Sequence, residues 1–197
     1  MVLNGKAEAF EPLVGPYRQS LLSLAYRMTQ NSEDSKEIAQ EALLRVFRFL
    51  DKYDSRRSFR NWIFQILANE ARNFYRKGKG EKAFLEKIES DRSDLRRSGR
   101  DAWSYQADVH RAGGSADPEQ SFLRKEFGAE LEEYLACLPF RERQIFILRD
   151  IEGLDIKEAA QVLGCSSISV RVNLSHARRK IRDLMVKKYP ELAKEAR

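Results

Sequence analysis

The sequence is poor in the residues that build metal sites, disulfide frameworks and many catalytic centres. Its 197 residues include only two cysteines and two histidines. Neither His110 nor His176 has a cysteine or a second histidine at metal-ligand spacing, so no metal site is expected. Cys137 and Cys165 lie far apart among apolar neighbours, which predicts two buried free thiols and suits a reducing compartment. A phosphate-binding glycine loop is also missing, and we therefore expect neither an enzyme nor a cofactor.

Long hydrophobic runs are missing as well. No stretch of about 18 apolar residues occurs, so a transmembrane helix is not predicted. The first residues, MVLNGKAEAFEPLVG, do not combine a basic start with an apolar stretch, and we expect no signal peptide. Together with the unpaired thiols, this predicts a cytoplasmic protein.

Charge, by contrast, is abundant. The chain has 36 basic and 30 acidic residues and a formal net charge of +6 at pH 7. A basic excess indicates a polyanionic partner such as nucleic acid, although a merely soluble basic protein would show the same excess. Hydrophobic residues make up 42% of the sequence, which is enough for one large domain or two small ones.

Residues of about 7–77 show helical periodicity, which predicts a first helical domain. Gly15-Pro16 is expected to interrupt the first helix, which would restart with Pro16 in its first turn. Asn31 is a candidate N-cap for a second helix, with an inward side of Ile38, Ala39, Ala42, Leu43, Val46, Phe49 and Leu50. Ser58 is a candidate cap for a third helix, which would reach about Lys77. Its predicted apolar side holds Phe59, Ile63, Ile66, Leu67 and Phe74, and its polar side holds Gln65, Asn69, Arg72, Asn73 and Arg76.

The periodicity dissolves over 78–120, where charges alternate in sign and small residues cluster, and we expect a flexible linker there. Residues 121–190 are predicted to form a second helical domain. Its first helix, Phe122–Leu138, should end at Pro139, and its second, Phe140–Ile151, should end near Gly153.

Two further helices in this domain have the pattern of a helix-turn-helix. Asp155 and Glu158 form a candidate capping box for a short helix that ends at Gly164, and Ser166 or Ser167 can cap the next one. That helix would bury Val170, Leu174, Ala177, Ile181 and Leu184, and its outward positions are Ser167, Ser169, Arg171, Val172, Ser175, His176 and Arg179. Arg171 could read guanine or bind phosphate, and Val172 could contact a thymine methyl group. A helical hairpin with a solvated basic face is the alternative.

Two stretches resemble parts of a known family. LEEYLACLPFRERQIFILRDIEGLDIKEAAQVLGCSSISVRVNLSHARRKIRDL resembles region four of the extracytoplasmic-function (ECF) sigma factors of RNA polymerase. NSEDSKEIAQEALLRVFRFLDKYDSRRSFRNWIFQILANEARNFYRK resembles their region two. The resemblance implies an all-α protein with two small helical domains, region two and region four, joined by a linker. It also implies core RNA polymerase, promoter DNA and an anti-sigma factor, often membrane-bound, as partners, without a small-molecule substrate.

The resemblance assigns roles to individual residues. Core-polymerase docking falls to Asp34, Glu37, Gln40, Glu41 and Arg45, and opening of the −10 element to Tyr53, Ser58, Phe59, Asn69, Arg72, Asn73 and Arg76. Contacts to the −35 element fall to Arg171, Val172 and His176, within the outward positions given above. The family often has Gly-Thr-Val-Lys/Arg-Ser-Arg over 168–173, whereas this chain has Ile-Ser-Val-Arg-Val-Asn.

Two other classes of protein remain as alternatives. A stand-alone helix-turn-helix transcription regulator would need a ligand-binding or phosphoacceptor domain, and the first segment shows neither pattern. A nucleic-acid enzyme would need a cluster of histidines, cysteines or carboxylates, and the sequence offers no such cluster.

Overall fold

The computed structural model describes residues 10–77 and 128–191. Both stretches are helical, and neither contains a β-strand, which confirms the predicted all-α class. The predicted linker 78–120, His110, and the first part of the predicted Phe122–Leu138 helix lie outside the described residues.

The first domain consists of three long helices. Helix α1 spans Phe10–Thr29, α2 spans Ser32–Arg48 and α3 spans Phe59–Lys77, with a short 3₁₀ turn at Leu50–Lys52. The predicted cap of α2 is confirmed, because the Asn31 side chain accepts hydrogen bonds from the backbone N–H groups of Glu33 and Asp34, each at 3.0 Å. The Ser58 hydroxyl accepts from the backbone of Asn61 at 3.3 Å, as its predicted capping role requires.

The prediction that Gly15-Pro16 interrupts the first helix is wrong. Helix α1 is continuous, with Pro16 inside it. Pro16 lacks the N–H that would bond to the Pro12 carbonyl, at a cost of about 3 kcal/mol. The helix nevertheless buries one face both before and after Pro16. The buried residues of this face are Val14, Leu21, Leu24, Ala25 and Met28. Each fully buried large side chain contributes roughly 1.5–3 kcal/mol, so packing outweighs the missing bond.

The predicted burial is confirmed for Ile38, Ala39, Ala42 and Val46 of α2 and for Leu50 in the 3₁₀ turn that follows, while Leu43 is partly buried. Phe49 is an exception, because it is exposed. The chain leaves the helix at this residue, with φ −112° and ψ 15°, so the helical period no longer sets its direction. The Lys52 ammonium group lies 4.9 Å from the centroid of the exposed Phe49 ring.

The buried side of α3 is wider than predicted. Ile63 and Leu67 are buried as expected, while Phe59, Ile66 and Phe74 are only partly buried. Phe64, Ala68, Ala71 and Tyr75 also belong to the core. Helix α3 therefore packs on two sides, one against α1 and α2 and the other toward the second domain.

The described part of the second domain begins with α4 at 128–136, followed by α5 at Phe140–Phe146. The predicted continuous helix Phe140–Ile151 changes character after Phe146, because Ile147–Ile151 form a π-helical turn. Gly153 then reverses the chain with a positive φ of 73°. Helix α6 spans Ile156–Leu163 and α7 spans Ser167–Lys188.

The two cysteines are free thiols, as predicted, but the predicted burial is wrong for Cys137. Cys137 is exposed, and Cys165 is partly exposed. Cys137 follows the last residue of α4, between the buried side chains of Leu135 and Leu138. Because the helix has ended there, apolar sequence neighbours no longer indicate that the intervening side chain faces the core.

The two domains pack against each other, and their buried residues form one apolar cluster. The Tyr75 ring of α3 packs against the Phe140 ring of α5, tilted by 52° with a centroid distance of 4.1 Å. The Arg27 and Gln30 side chains both donate to Glu132 of α4, at 3.2 and 3.0 Å. Helix α3 lies along α6, so the polar side of α3 borders the helix-turn-helix.

Candidate nucleic-acid interface

Local hydrogen bonds fix the two helices of the helix-turn-helix. The Asp155 carboxylate accepts from the Glu158 backbone at 2.8 Å, and the Glu158 carboxylate accepts from the Asp155 backbone at 2.8 Å. This is the predicted capping box. Gly164 ends α6 in the left-handed region at φ 60°, which favours glycine, and the Ser166 hydroxyl accepts from the Ser169 backbone at 3.1 Å. Ser166, rather than Ser167, is therefore the cap of α7.

Helix α7 separates a buried side from an outward side, as predicted. Val170, Leu174, Ala177 and Ile181 are buried, and Leu184 is partly buried. Ser167 and Ser169 are half-buried near the start of the helix. The exposed predicted positions are Arg171, Val172, Ser175, His176 and Arg179. The outward side of α7 thus presents two guanidinium groups, an imidazole and an apolar side chain to solvent, a combination that can contact phosphates and base edges.

An apolar residue that was missing from the predicted set lies beside Val172. Ile168 has 70% of its surface exposed, and Val172 has 48%. The two are four residues apart, so they are neighbours on one face of the helix. The sequence did hold a sign of this exposed residue, because Ile168 stands at a position where the ECF sigma factors that the sequence resembles often have glycine. A large aliphatic side chain with this exposure is suited to contact another surface.

Two contacts hold the beginning of α7. Arg141 of α5 donates to the Ser169 hydroxyl at 2.9 Å, and the Asn173 amide donates to the Ser169 carbonyl at 2.8 Å. Farther along the helix, Arg178 pairs with Asp150 at 2.6 Å and Lys180 pairs with Glu142 at 2.9 Å. These two cations thus serve packing within the domain, while Arg179 and Arg182 remain exposed.

The polar side of α3 brings together part of the predicted −10 set. Arg72 donates through Nη1 to the Asn69 amide oxygen at 3.2 Å and through Nη2 to the Leu163 carbonyl at 2.8 Å. Asn69, Arg72 and Asn73 are half-buried, and Arg76 is exposed. In this arrangement, Arg72 therefore connects Asn69 to the end of α6.

An aromatic cluster lies at the start of α3. The ring centroids of Tyr53, Phe59 and Trp62 are 5.1 to 5.7 Å apart, and Tyr17 lies 5.6 Å from Phe59. The Tyr53 hydroxyl donates to the Arg57 carbonyl at 2.5 Å, which closes the loop before the helix. These partly buried rings could stack with a base that has left its duplex. Ser58 is exposed beside them.

The predicted docking residues on α2 share a polar surface, but one of them also contacts α3. Glu37 and Gln40 are exposed, and Asp34 and Glu41 are half-buried. Arg45 lies 3.4 Å from Glu41 and 2.9 Å from Glu70 of α3, so it is fixed between the two helices. Two apolar side chains next to this surface were not among the predicted residues: Leu44 and Phe47, which are 43% and 46% exposed.

Within residues 10–77 and 128–191, no group of three or more histidine, cysteine, aspartate or glutamate side chains could hold a metal ion. In the same residues, no helix is both long and apolar enough to span a membrane.

Two family models match the sequence, one in each domain. Sigma-70 region 2 matches residues 13–81, and sigma-70 region 4 matches residues 128–181. The RNA polymerase sigma-H factor of Pseudomonas aeruginosa is 28% identical over 180 residues, which cover 91% of this chain and 88% of the relative. The ECF RNA polymerase sigma-E factor of Escherichia coli is 27% identical over 184 residues, covering 91% and 88%. The chain belongs to the ECF sigma factors.

The ECF sigma factor SigW of Bacillus subtilis is 25% identical over 181 residues, covering 92% of this chain and 91% of SigW. Among solved structures, CnrH in complex with the cytosolic domain of CnrY has a TM-score of 0.60 at 24% identity, covering 93% and 92% of the two chains. The sigma factor RpoE in complex with the anti-sigma factor NepR from Bartonella quintana has a TM-score of 0.58 at 18% identity, covering 91% and 98%. These two structures show the same fold.

Family membership confirms the functional class expected from the sequence. This ECF sigma factor is an alternative sigma factor, a protein that directs transcription initiation by RNA polymerase. The alternative of a stand-alone regulator is less well supported, because sigma-70 region 2 accounts for the domain that would have to hold a ligand site or a phosphoacceptor.

Proposed function

We propose that the two domains of this ECF sigma factor divide promoter recognition between them. The first domain docks on core RNA polymerase and opens the −10 element, and the second reads the −35 element as a duplex. The observation that carries this proposal is the presence of two polar or basic surfaces, on α3 and α7, in domains that match sigma region 2 and region 4. By this proposal the protein acts in the cytoplasm and has no enzymatic activity of its own.

Docking on core polymerase is assigned to the outward side of α2. The proposed contacts are Asp34, Glu37, Gln40, Glu41 and Arg45. The exposed carboxylate of Glu37 and the partly exposed carboxylate of Glu41 give this side negative charge. The neighbouring side chains of Leu44 and Phe47 add exposed apolar area. An apolar patch with a charged rim is the usual composition of a protein-binding surface.

Opening of the −10 element is assigned to the aromatic cluster and the polar side of α3. The proposed contacts are Tyr53, Ser58, Phe59, Asn69, Arg72, Asn73 and Arg76. An amide such as that of Asn69 can read the edge of a flipped base, aromatic rings can stack on it, and the guanidinium groups of Arg72 and Arg76 can bind phosphates.

Reading of the −35 element is assigned to α7, through Ser167, Ser169, Arg171, Val172, Ser175, His176 and Arg179. The start of this helix is firmly held by the Ser166 cap and by Arg141, which favours defined base contacts. The exposed Arg179 adds a positive charge that can contact the DNA backbone.

An anti-sigma factor is the proposed regulatory partner. RpoE, a structural relative, has been solved in complex with the anti-sigma factor NepR. The two-domain arrangement of this chain gives such a protein two surfaces to cover, those of α3 and α7.

Gel-shift titration of promoter DNA with and without core polymerase tests the proposed function. We expect weak binding by the free protein, because each small surface has to offset the cost of association separately. Core polymerase should make the binding tight and promoter-specific. Tight, specific binding by the free protein would instead favour a stand-alone regulator.

A further inference from the structure

The Ser169 hydroxyl, near the start of α7, is contacted by two hydrogen-bond donors. Arg141 Nη2 donates to Ser169 Oγ at 2.9 Å, and Asn173 Nδ2 donates to the same oxygen at 3.4 Å. A guanidinium group can only donate. The Asn173 amide is oriented by its shorter bond, because Nδ2 also donates to the Ser169 carbonyl at 2.8 Å, and a carbonyl can only accept. The nitrogen of this amide, and not its oxygen, therefore faces the hydroxyl.

The hydrogen of the Ser169 hydroxyl has no acceptor within the described part of the protein. A serine hydroxyl has one hydrogen and two lone pairs, and Arg141 and Asn173 occupy the lone pairs. A serine in a helix often donates to the carbonyl four residues earlier. Across residues 10–77 and 128–191, however, neither the Cys165 carbonyl nor another oxygen accepts from Ser169 Oγ. The hydrogen is therefore free to meet an acceptor outside the chain.

The surroundings of Ser169 strengthen it as a donor. A hydroxyl that accepts from a cation is polarised, which strengthens the hydrogen bond that its own hydrogen makes. Ser169 is half-buried and lies one turn before the exposed Val172, at the border of the outward side of α7. The bond from Arg141 joins the first turn of α5 to the first turn of α7. Side chains from two helices thus orient the hydroxyl before DNA arrives.

We propose that Arg141 and Asn173 are positioning residues that make the Ser169 hydroxyl a donor only. The hydroxyl then rejects the amino groups of cytosine and adenine and bonds to one acceptor of the −35 duplex. That acceptor is either a base atom in the major groove (purine N7, guanine O6 or thymine O4) or a phosphate oxygen. A serine without such neighbours would turn to suit either kind of partner. This inference rests on the proposed function, because it requires Ser169 to contact the −35 element.

Deletion of single acceptors from the DNA tests this polarity. The holoenzyme first selects a promoter from a randomised library, and each test duplex then lacks one acceptor of the −35 element. Carbon replaces purine N7, hydrogen replaces guanine O6 or thymine O4, and a methyl group replaces one phosphate oxygen. Filter binding at low temperature measures the ratio of the affinities for the intact duplex and for each deleted duplex.

Comparison with Ser169→Ala isolates the contribution of the hydroxyl. At one position, the affinity ratio should be about fivefold larger for the wild type than for Ser169→Ala, which is the size of one hydrogen bond. We call this factor the Ser169 coupling. Ser169→Thr keeps the hydroxyl and should keep the coupling. A base atom or a phosphate at the coupled position identifies which of the two sources provides the acceptor.

Two substitutions change the surroundings of the hydroxyl without altering Ser169. Asn173→Asp replaces the amide donor by an acceptor that can capture the Ser169 hydrogen, so the coupling should be lost. Arg141→Met removes the cation and keeps the apolar length, and the coupling should fall about twofold. In each background the coupling is measured by adding Ser169→Ala. Because it compares ratios of affinities, a variant that folds less completely changes both affinities of a ratio alike.

Matched controls reproduce the two charge changes elsewhere in the same domain. Gln161→Glu adds a negative charge at an exposed position of α6, as Asn173→Asp does on α7. Arg182→Met removes a positive charge at an exposed position of α7, as Arg141→Met does on α5. Both controls should weaken binding to every duplex, since they make the domain less basic, and both should retain the full Ser169 coupling.

Two results would overturn the proposal. If the wild type and Ser169→Ala respond alike to the removal of every acceptor, the hydroxyl donates to none of them. If Asn173→Asp and Arg141→Met both retain the full coupling, these residues do not set the polarity of the hydroxyl. In either case, promoter-specific binding by the wild-type holoenzyme would leave the proposed function intact. A holoenzyme that selected no promoter would contradict both.

Discussion

Tyr75 and Arg143, one from each domain, meet at the end of α1: the Arg143 guanidinium donates to the Met28 carbonyl at 3.2 Å, and the Tyr75 hydroxyl lies between the Met28 and Thr29 carbonyls, at 3.3 and 3.0 Å. Helix α1 ends at Thr29, so the Met28 carbonyl has no partner within its own helix. Both side chains are buried. Burial raises the pKa of Tyr75 to about 12 and lowers the pKa of Arg143 to about 10, so at neutral pH the phenol is neutral and the guanidinium is charged.

The raised pKa of Tyr75 predicts a loss of stability in alkali. A phenol with a pKa of about 12 in the folded state and 10.0 when unfolded contributes fully below pH 10 and loses its contribution as the pH rises toward 12. The shift corresponds to about 2 to 3 kcal/mol. Urea unfolding of wild type and Tyr75→Phe on either side of pH 10 checks this prediction. The variant should lose less stability than the wild type, and parallel losses would contradict the assignment.

Gly164 should be intolerant of a side chain for backbone reasons alone. Its φ is 60°, and a Cβ there would meet nothing within 4 Å. Gly164→Ala should therefore cost about 1–2 kcal/mol, and Gly164→Asn less. The matched control is Gly128→Ala, also in open space but in a helix without a positive φ, which should be neutral or stabilising by up to about 1 kcal/mol. Thermal unfolding gives the ranking, and equal effects of the two alanines would refute it.

The apolar pair on α7 predicts that base methyl groups are read in the −35 element. Thymine presents its C5-methyl group in the major groove, and uracil lacks only that group. With the holoenzyme, replacing dT by dU at a contacted position should weaken duplex binding about fourfold, the equivalent of one buried methylene group. Ile168→Ala or Val172→Ala should abolish the difference, whereas Ser175→Ala should retain it. Filter binding that shows the same difference for every variant would rule out these contacts.

Asn69 and Arg171 should act at different steps of initiation. Asn69→Ala should impair promoter melting, because an amide that reads a flipped base acts only after the base has left the duplex. Arg171→Ala should weaken the closed complex by about 1–3 kcal/mol if it reads a base edge. Permanganate footprinting reports melting, and filter binding at low temperature reports the closed complex. Normal melting by Asn69→Ala on all promoters would remove its proposed role. An equal loss on all sequences for Arg171→Ala would make it a phosphate contact.

The sequence predicted the elements whose cause is local. The Asn31 cap, the Asp155–Glu158 capping box and the Gly164 turn all depend on residues within a few positions, and the structure confirms each of them. The predictions failed where distant packing decided the outcome. Helix α1 continues through Pro16 because buried residues on both sides favour continuity, and Phe49 turns outward because the chain leaves its helix there.

The candidate site was predictable in its residues but not in their partners. Helical spacing places Asn69 and Arg72 on one side of α3, yet no local pattern indicates that Arg72 would bond to the Leu163 carbonyl. The contacts of Arg60 and Asn61 were not predicted for the same reason, since their acceptors, Glu152 and Glu158, come from the other domain. Contacts between domains depend on tertiary packing, which a single sequence does not reveal through periodicity.

Run-off transcription with core RNA polymerase on a randomised promoter library measures whether this protein selects promoters. We expect the added protein to select templates that share two sequence elements at a fixed spacing. Glu37→Lys/Glu41→Lys should lose this activity while remaining folded by circular dichroism. Identical transcripts from core polymerase with and without the protein would show that it does not direct initiation.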